Sequence, residues 1–142
     1  MTVRDQRISV VVPVYNAGHL LPRVLPPLLK MAQDGEVAEV LVVDDRSTDN
    51  SIEVAKGLGA NVISTPQNGG PGVARNLAGE QAIGDILWFV DSDVIAWENG
   101  AAILHEAFAD PQVSAVFGSY DDAPGATSWF FCTGVPITFV TL

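Results

Sequence analysis

The chain has 142 residues, 48% of them hydrophobic, and a formal net charge of −10 from 17 acidic and 7 basic side chains. That length and apolar content support one domain with a substantial core and exclude a disordered chain. The acidic balance excludes the nucleic-acid backbone as a partner, because such binding needs a basic face. A phosphate ligand would need a metal ion or local backbone donors to be held.

Cys132 is the only cysteine, which rules out an internal disulfide and fits a reducing compartment. Residues 1–7 are polar and run straight into an apolar stretch, so no secretory leader is expected. No stretch reaches the roughly 18 apolar residues needed to cross a bilayer. The apolar run over residues 129–142 is short and broken by Thr133, Gly134, Pro136 and Thr138. The chain therefore reads as cytoplasmic, and would reach the inner face of a membrane only through helices of a longer parent protein.

Residues 8–14 form a β-branched run interrupted by Ser9 and predict a buried first strand. Tyr15-Asn16-Ala17-Gly18 follows as a loop, and Leu20, Leu21, Val24, Leu25, Leu28 and Leu29 then recur at helical spacing. Pro22 suits a first turn, whereas Pro26 and Pro27 predict a kink or two short helical pieces. Residues 40–43 are a second strand. Ser47, Thr48 and Asp49 offer caps for a helix through Ile52, Val54, Ala55 and Leu58, stopped by Gly57 and Gly59.

Residues 61–64 predict a third strand, 65–72 a glycine- and proline-rich loop, and 73–83 a helix closed by Gly84. Residues 86–90 read as a fully buried strand, 98–108 as a helix, and 113–117 as a last strand. Alternating strands and helices without repeat or linker predict an α/β fold, a Rossmann-like open and mainly parallel sheet with helices on both faces. After Gly118 the pattern degrades: residues 121–126 are turn-like, and the apolar remainder has neither strand nor helix period.

Two strands end in paired acids. Asp91-Ser92-Asp93 follows one, and in open α/β sheets ligands bind outside the carboxyl ends of the strands. On an extended segment residues i and i+2 share a face, so Asp91 and Asp93 would meet one ligand with Ser92 turned away. Such oxygens suit Mn²⁺ or Mg²⁺ completed by phosphate and water; the alternative is a solvated turn. Asp44-Asp45 follows the second strand, either as a turn that caps the next helix or as acceptors for a base or ribose.

The loop Asn68-Gly69-Gly70-Pro71-Gly72-Val73-Ala74-Arg75-Asn76 opens a helix, where backbone N–H groups favour a diphosphate and Arg75 adds a fork of donors. It could equally be a loop that merely needs flexible turns. It is neither a Walker A loop nor a dinucleotide fingerprint, since it lacks Gly-Lys-Ser/Thr and does not join the first strand to the first helix. Two like charges about 4 Å apart repel by roughly 4 kcal/mol at an effective dielectric of about 20. A diphosphate beside Asp91 and Asp93 would therefore need a divalent cation between them. His19 and His105 are lone histidines with no assigned role.

In order and spacing, Val11-Val12-Pro13-Val14-Tyr15-Asn16, Val42-Val43-Asp44-Asp45-Arg46-Ser47-Thr48-Asp49, Gly72-Val73-Ala74-Arg75-Asn76 and Asp91-Ser92-Asp93 resemble family 2 glycosyltransferases over residues 8–118. The resemblance implies a GT-A fold, a nucleotide-diphosphate-sugar donor (a UDP-sugar), a Mn²⁺ or Mg²⁺ cofactor and an inverting transfer. Pro13, Val14 and Tyr15 would border the nucleoside, and Asp45 with Asp44 would contact the base or ribose. Gly72 and Arg75 would lie by the diphosphate, Asp91 and Ser92 by the sugar, and Asp93 and Asp91 would hold the metal, which stabilises the leaving diphosphate.

Residues 1–127 would then be the N-terminal part of a GT-A domain, and 128–142 an atypical apolar tail, C-terminally truncated. Family members continue into an acceptor-binding half that supplies the general base, and no residue here matches it; Asp121 and Asp122 are not assigned that role. The chain would be a donor-binding half acting on an unknown acceptor and inactive alone. Two other readings share parts of the pattern. A Mg²⁺-binding receiver-like domain would need a lysine after a late strand, and none follows Lys56. A nucleotidyltransferase would carry a basic glycine-rich loop after the first strand, which Tyr15-Asn16-Ala17-Gly18 is not.

Overall fold

A computed structural model describes residues 6–119 and 130–131. A central parallel sheet is built from β1 (Ile8–Val14), β2 (Glu39–Asp44), β3 (Asn61–Ser64) and β4 (Ile86–Phe89) in the order β3-β2-β1-β4. Helices α1 (Leu21–Gln33), α2 (Ser51–Gly57), α3 (Gly70–Gln81) and α4 (Gly100–Ala107) alternate with them. The parallel α/β architecture read from the sequence is the one observed. A short antiparallel pair, β5 (Gly118–Ser119) with β6 (Phe130–Phe131), lies apart from the main sheet.

The strand period divides the core in two. Val10, Val12, Val14, Val40, Val42, Ile86, Trp88 and Val90 pack on one face with α1, Ala55 of α2 and Ala101 of α4. Val11, Leu41 and Val43 point to the other face, which Ala74 and Ala78 of α3 cover. The small residues on α3 let it lie close to the sheet. Gly100 does the same for α4, because a Cβ there would sit 2.4 Å from the Trp88 ring.

Pro13 stands in a strand with neighbours on both sides, yet no ladder bond is lost. Val11 accepts from Val90 N–H across the β4 side, and Pro13 faces the same side two residues on, beyond the last β4 pairing at Phe89. At the opposite edge Ser9 Oγ donates to Glu39 Oε1 (2.6 Å) and accepts the Gly84 N–H (2.8 Å), while Ile83 N–H also reaches Glu39.

Four expectations are corrected. Pro26 and Pro27 do not split α1 into two pieces: it runs as one helix of 13 residues. The carbonyls that lose their donors belong to exposed Pro22 and Arg23, where water can reach them, while Leu21, Val24, Leu25, Leu28 and Met31 bury the opposite face. Residues 113–117 form no strand, since periodicity reports side-chain pattern and a strand also needs a partner; pairing begins at Gly118. Strand β4 is an edge of the main sheet with alternating burial rather than a fully buried strand. Helix α3 begins at Gly70, inside the stretch expected to be loop. Asp121, Asp122, the boundary at 127/128 and the apolar tail other than Phe130 and Phe131 lie outside the described residues.

Candidate functional site

Parallel pairing brings the C-terminal ends of all four strands to one edge. Val14 is in register with Asp44, and Asp44 with Ser64; Asp45 N–H then bonds Val14 O and Thr65 N–H bonds Asp44 O. Val90 N–H bonds Val11 O, so Asp91 emerges at the same edge. The motifs separated in sequence therefore line one rim.

The loops on this rim are tied together by side chains. Asn16, at φ 50, accepts Thr48 N–H (2.7 Å), Asp49 N–H (3.2 Å) and the Thr48 hydroxyl through one amide oxygen. In return Asn16 N–H bonds Ser47 Oγ, Ala17 N–H bonds Ser51 Oγ and Gly18 N–H bonds Asp49 Oδ2, each at 3.0 Å. Gly18 lies close to the α2 entrance, where a Cβ would sit 3.1 Å from Ser51 N and would push the exposed Asn50 side chain aside. The Ser51 hydroxyl and N–H hold the Asp49 carboxyl below the usual carboxylate range, against burial and with help from Gly18 N–H.

Asp45 is 3% exposed and fully engaged. It accepts the Thr65 hydroxyl at 2.7 Å, Gly69 N–H at 3.0 Å and Gly70 N–H at 2.7 Å. Burial pushes this carboxyl up, but Gly69, Thr65 and Gly70 outweigh it and hold it below the usual range. The Asn68 amide adds a bond to Asp45 O. Asp45 is thus the acid that anchors the N-terminus of α3. Of that terminus, Gly69 and Gly70 are taken, Pro71 has no N–H, and exposed Gly72 keeps a backbone donor available.

Asp44 is different. It is 2% exposed; Oδ2 accepts Ser47 N–H at 3.2 Å, and Oδ1 is buried with no hydrogen-bond partner among the described residues. Leaving a buried polar atom unpaired costs about 1–3 kcal/mol, and a ligand donor would remove that cost.

Among the residues expected to border a nucleoside, Pro13 and Val14 are buried in the sheet, Val14 within the core, and only Tyr15 reaches solvent, at 54% exposure. Arg75 does not stand free: Nη2 donates to Asp91 Oδ1 at 2.9 Å, and its guanidinium carbon lies 6.0 Å from the Phe89 ring centre. Residues 91–94 form a turn closed by Val94 N–H to Asp91 O, with Asp91 and Ser92 half-buried and Asp93 exposed. The extended geometry expected to set Asp91 and Asp93 on one face is therefore absent, because the chain turns as soon as it leaves β4.

No group of three or more His, Cys, Asp or Glu positioned for a metal occurs among the described residues. The donor set does fit a hydrated Mn²⁺ or Mg²⁺, which keeps waters and takes one or two carboxylates plus substrate phosphates. Sequence reading missed Thr65, whose only signal was a hydroxyl directly after β3. It also treated Asn16 as loop rather than as the residue joining two motifs.

Residues 9–131 match the glycosyl transferase family 2 profile. Glycosyltransferase GlyG of Streptococcus pneumoniae is 34% identical over 138 residues, covering 92% of this chain and 45% of that protein. The crystal structure of S. aureus TarS 1–349 in complex with UDP-GlcNAc aligns with TM-score 0.68 and 33% identity, over 84% of this chain and 36% of that 1–349 chain. Mycobacterium tuberculosis glucosyl-3-phosphoglycerate synthase, in complex with Mn²⁺, UDP and glucosyl-3-phosphoglycerate, aligns with TM-score 0.62 and 29% identity, over 78% of this chain and 40% of the synthase. The chain spans less than half the length of each of these three. With a family match over most of its length and a parallel GT-A sheet, the chain belongs to glycosyl transferase family 2.

Proposed function

We propose that this domain binds the nucleotide-diphosphate-sugar donor, a UDP-sugar, of a metal-dependent inverting glycosyltransferase. The observation that carries the reading is the partnerless Oδ1 of buried Asp44, on a rim shared with the α3 N-terminus and Asp91. Asp44 is the acceptor for a base N–H or ribose hydroxyl, and Asp45 holds the α3 N-terminus beside it. Tyr15 covers the nucleoside, with Pro13 and Val14 as its buried support.

Gly72 N–H and Arg75 face the diphosphate. Asp93 and Asp91 hold Mn²⁺ or Mg²⁺, with Ser92 beside the sugar. The metal supplies Lewis-acid stabilisation of the leaving diphosphate. In the pocket, Arg75 leaves Asp91 for the phosphates, exchanging one charged partner for another. UDP and Mn²⁺ in related structures support this reading. The acceptor is unassigned, and no described residue is given the role of general base.

Calorimetric titration with UDP, with and without Mn²⁺, tests it. Mn²⁺-dependent binding that is lost in Asp93→Ala is the expected result. A folded chain that binds neither UDP nor GDP would sink it.

A further inference from the structure

Arg46 has φ 63, the left-handed region that glycine occupies without strain. Asn16, the other described non-glycine residue there, has a local reason: its amide joins residues 48 and 49. Arg46 has no such bond. Its side chain reaches the carbonyl of Pro66, with Nη2 donating at 2.8 Å, which leaves most of its five N–H donors without a partner among the described residues. Arg7, Lys30 and Arg75 are in ion pairs, whereas none of the described pairs involves Arg46. It is exposed, and it lies two residues after the partnerless Asp44 Oδ1.

Its place in the sheet selects its ligand. Pro66 follows β3 at one edge of the order β3-β2-β1-β4, and Asp91 follows β4 at the other. Strands are spaced about 4.8 Å apart, so the Arg46 anchor and the acidic turn stand roughly three spacings from each other. An extended nucleotide whose phosphates lie by Asp91 and Arg75 places its base toward β2 and β3. A planar cation fixed at that end presents a stacking surface to an aromatic ring.

We propose that Arg46 is a base-contacting residue that stacks on the nucleobase, and that its unfavourable backbone conformation is retained for this side chain. The inference rests on the donor-site reading above and adds a base-contacting residue to it.

The test titrates UDP and uridine, with Mn²⁺ present, into the wild-type chain, Arg46→Gly and Arg46→Lys, with thermal melts of all three. Arg46→Gly is expected to weaken UDP and uridine by the same factor, about tenfold, as loss of one base-stacking contact does. Its melting temperature should stay unchanged or rise, since glycine relaxes φ 63. Arg46→Lys, which keeps charge but not the plane, should bind as weakly as Arg46→Gly. Wild-type affinity in Arg46→Gly overturns the inference alone, and so does full affinity in Arg46→Lys. A loss confined to UDP, with uridine unaffected, also overturns it by moving the contact to the phosphates. If the folded wild-type chain binds neither UDP nor GDP, the donor-site reading falls and takes this inference with it.

Discussion

Arg75 on α3 donates to Asp91 beyond β4 at 2.9 Å, so the acid proposed to meet a metal already carries a cation of the protein's own. Both side chains are partly exposed, at 36% and 48%. Such a pair contributes at most about 1 kcal/mol, which makes it easy to exchange for a better partner.

The first prediction follows from that competition. Arg75→Gln should bind Mn²⁺ alone more tightly than wild type, measured by electron paramagnetic resonance of free Mn²⁺, and bind UDP with Mn²⁺ more weakly. Stability should change by less than about 1 kcal/mol. If both affinities move in the same direction, the exchange is wrong.

Asp45 should behave as a structural acid. Asp45→Ala leaves the Thr65 hydroxyl and the Gly69 and Gly70 N–H groups without their acceptor, at an expected cost of about 3 kcal/mol. Because the folded carboxyl titrates below its ordinary value, its contribution is complete above about pH 4. That contribution is lost as pH falls through the folded pKa. Urea unfolding between roughly pH 2.5 and 7, around the unfolded carboxylate pKa, should show a shallower acid limb in Asp45→Asn than in wild type.

The glycines of the α3 turn should divide sharply. Gly70 has φ +83, so Gly70→Ala should cost about 1–2 kcal/mol. A Cβ on Gly72 would meet nothing within 4 Å, and Gly72→Ala keeps the N–H offered to the diphosphate. It should leave UDP affinity unchanged and alter stability by no more than about 1 kcal/mol, in the stabilising direction. A large loss of UDP affinity in Gly72→Ala would show that the phosphates approach closer than a methyl allows.

Pro26→Ala should stabilise the domain, by up to about 3 kcal/mol, because it restores an N–H for the Pro22 carbonyl and removes a ring from a helix interior. Denaturant unfolding with unchanged slope would establish it. Leu28→Ala, on the buried face of the same helix, should instead lose about 2–5 kcal/mol.

These contrasts show which physics is legible in a sequence. The run over residues 8–14 and the alternation of strands with helices made the parallel sheet readable, because burial on both faces leaves a continuous apolar signature. The acidic strand ends were readable as a rim for the same reason. What Asp44 and Asp45 each do was not, since adjacent identical side chains differ only in what folds around them: Thr65, Gly69 and Gly70 for one, Ser47 alone among the described residues for the other. The turn at residues 91–94 stood only as the alternative, because an extended continuation of β4 was preferred. That α1 continues as one helix across its proline pair was not legible, because local propensity carries no information on the buried face opposite it.

The clamp between Asn16 and residues 47–49 bears on how this rim can change over time. Its bonds join positions 31 to 33 apart in the chain, so neither loop owns its own shape. A substitution at Asn16 strips acceptors from Thr48 and Asp49 at once, and a change at Ser47 strands Asn16 N–H in return. Drift in either stretch is therefore tolerated only when the other shifts with it. The two stretches should be inherited as a matched set, and a chimera taking one loop from a divergent relative should lose the rim while keeping the sheet.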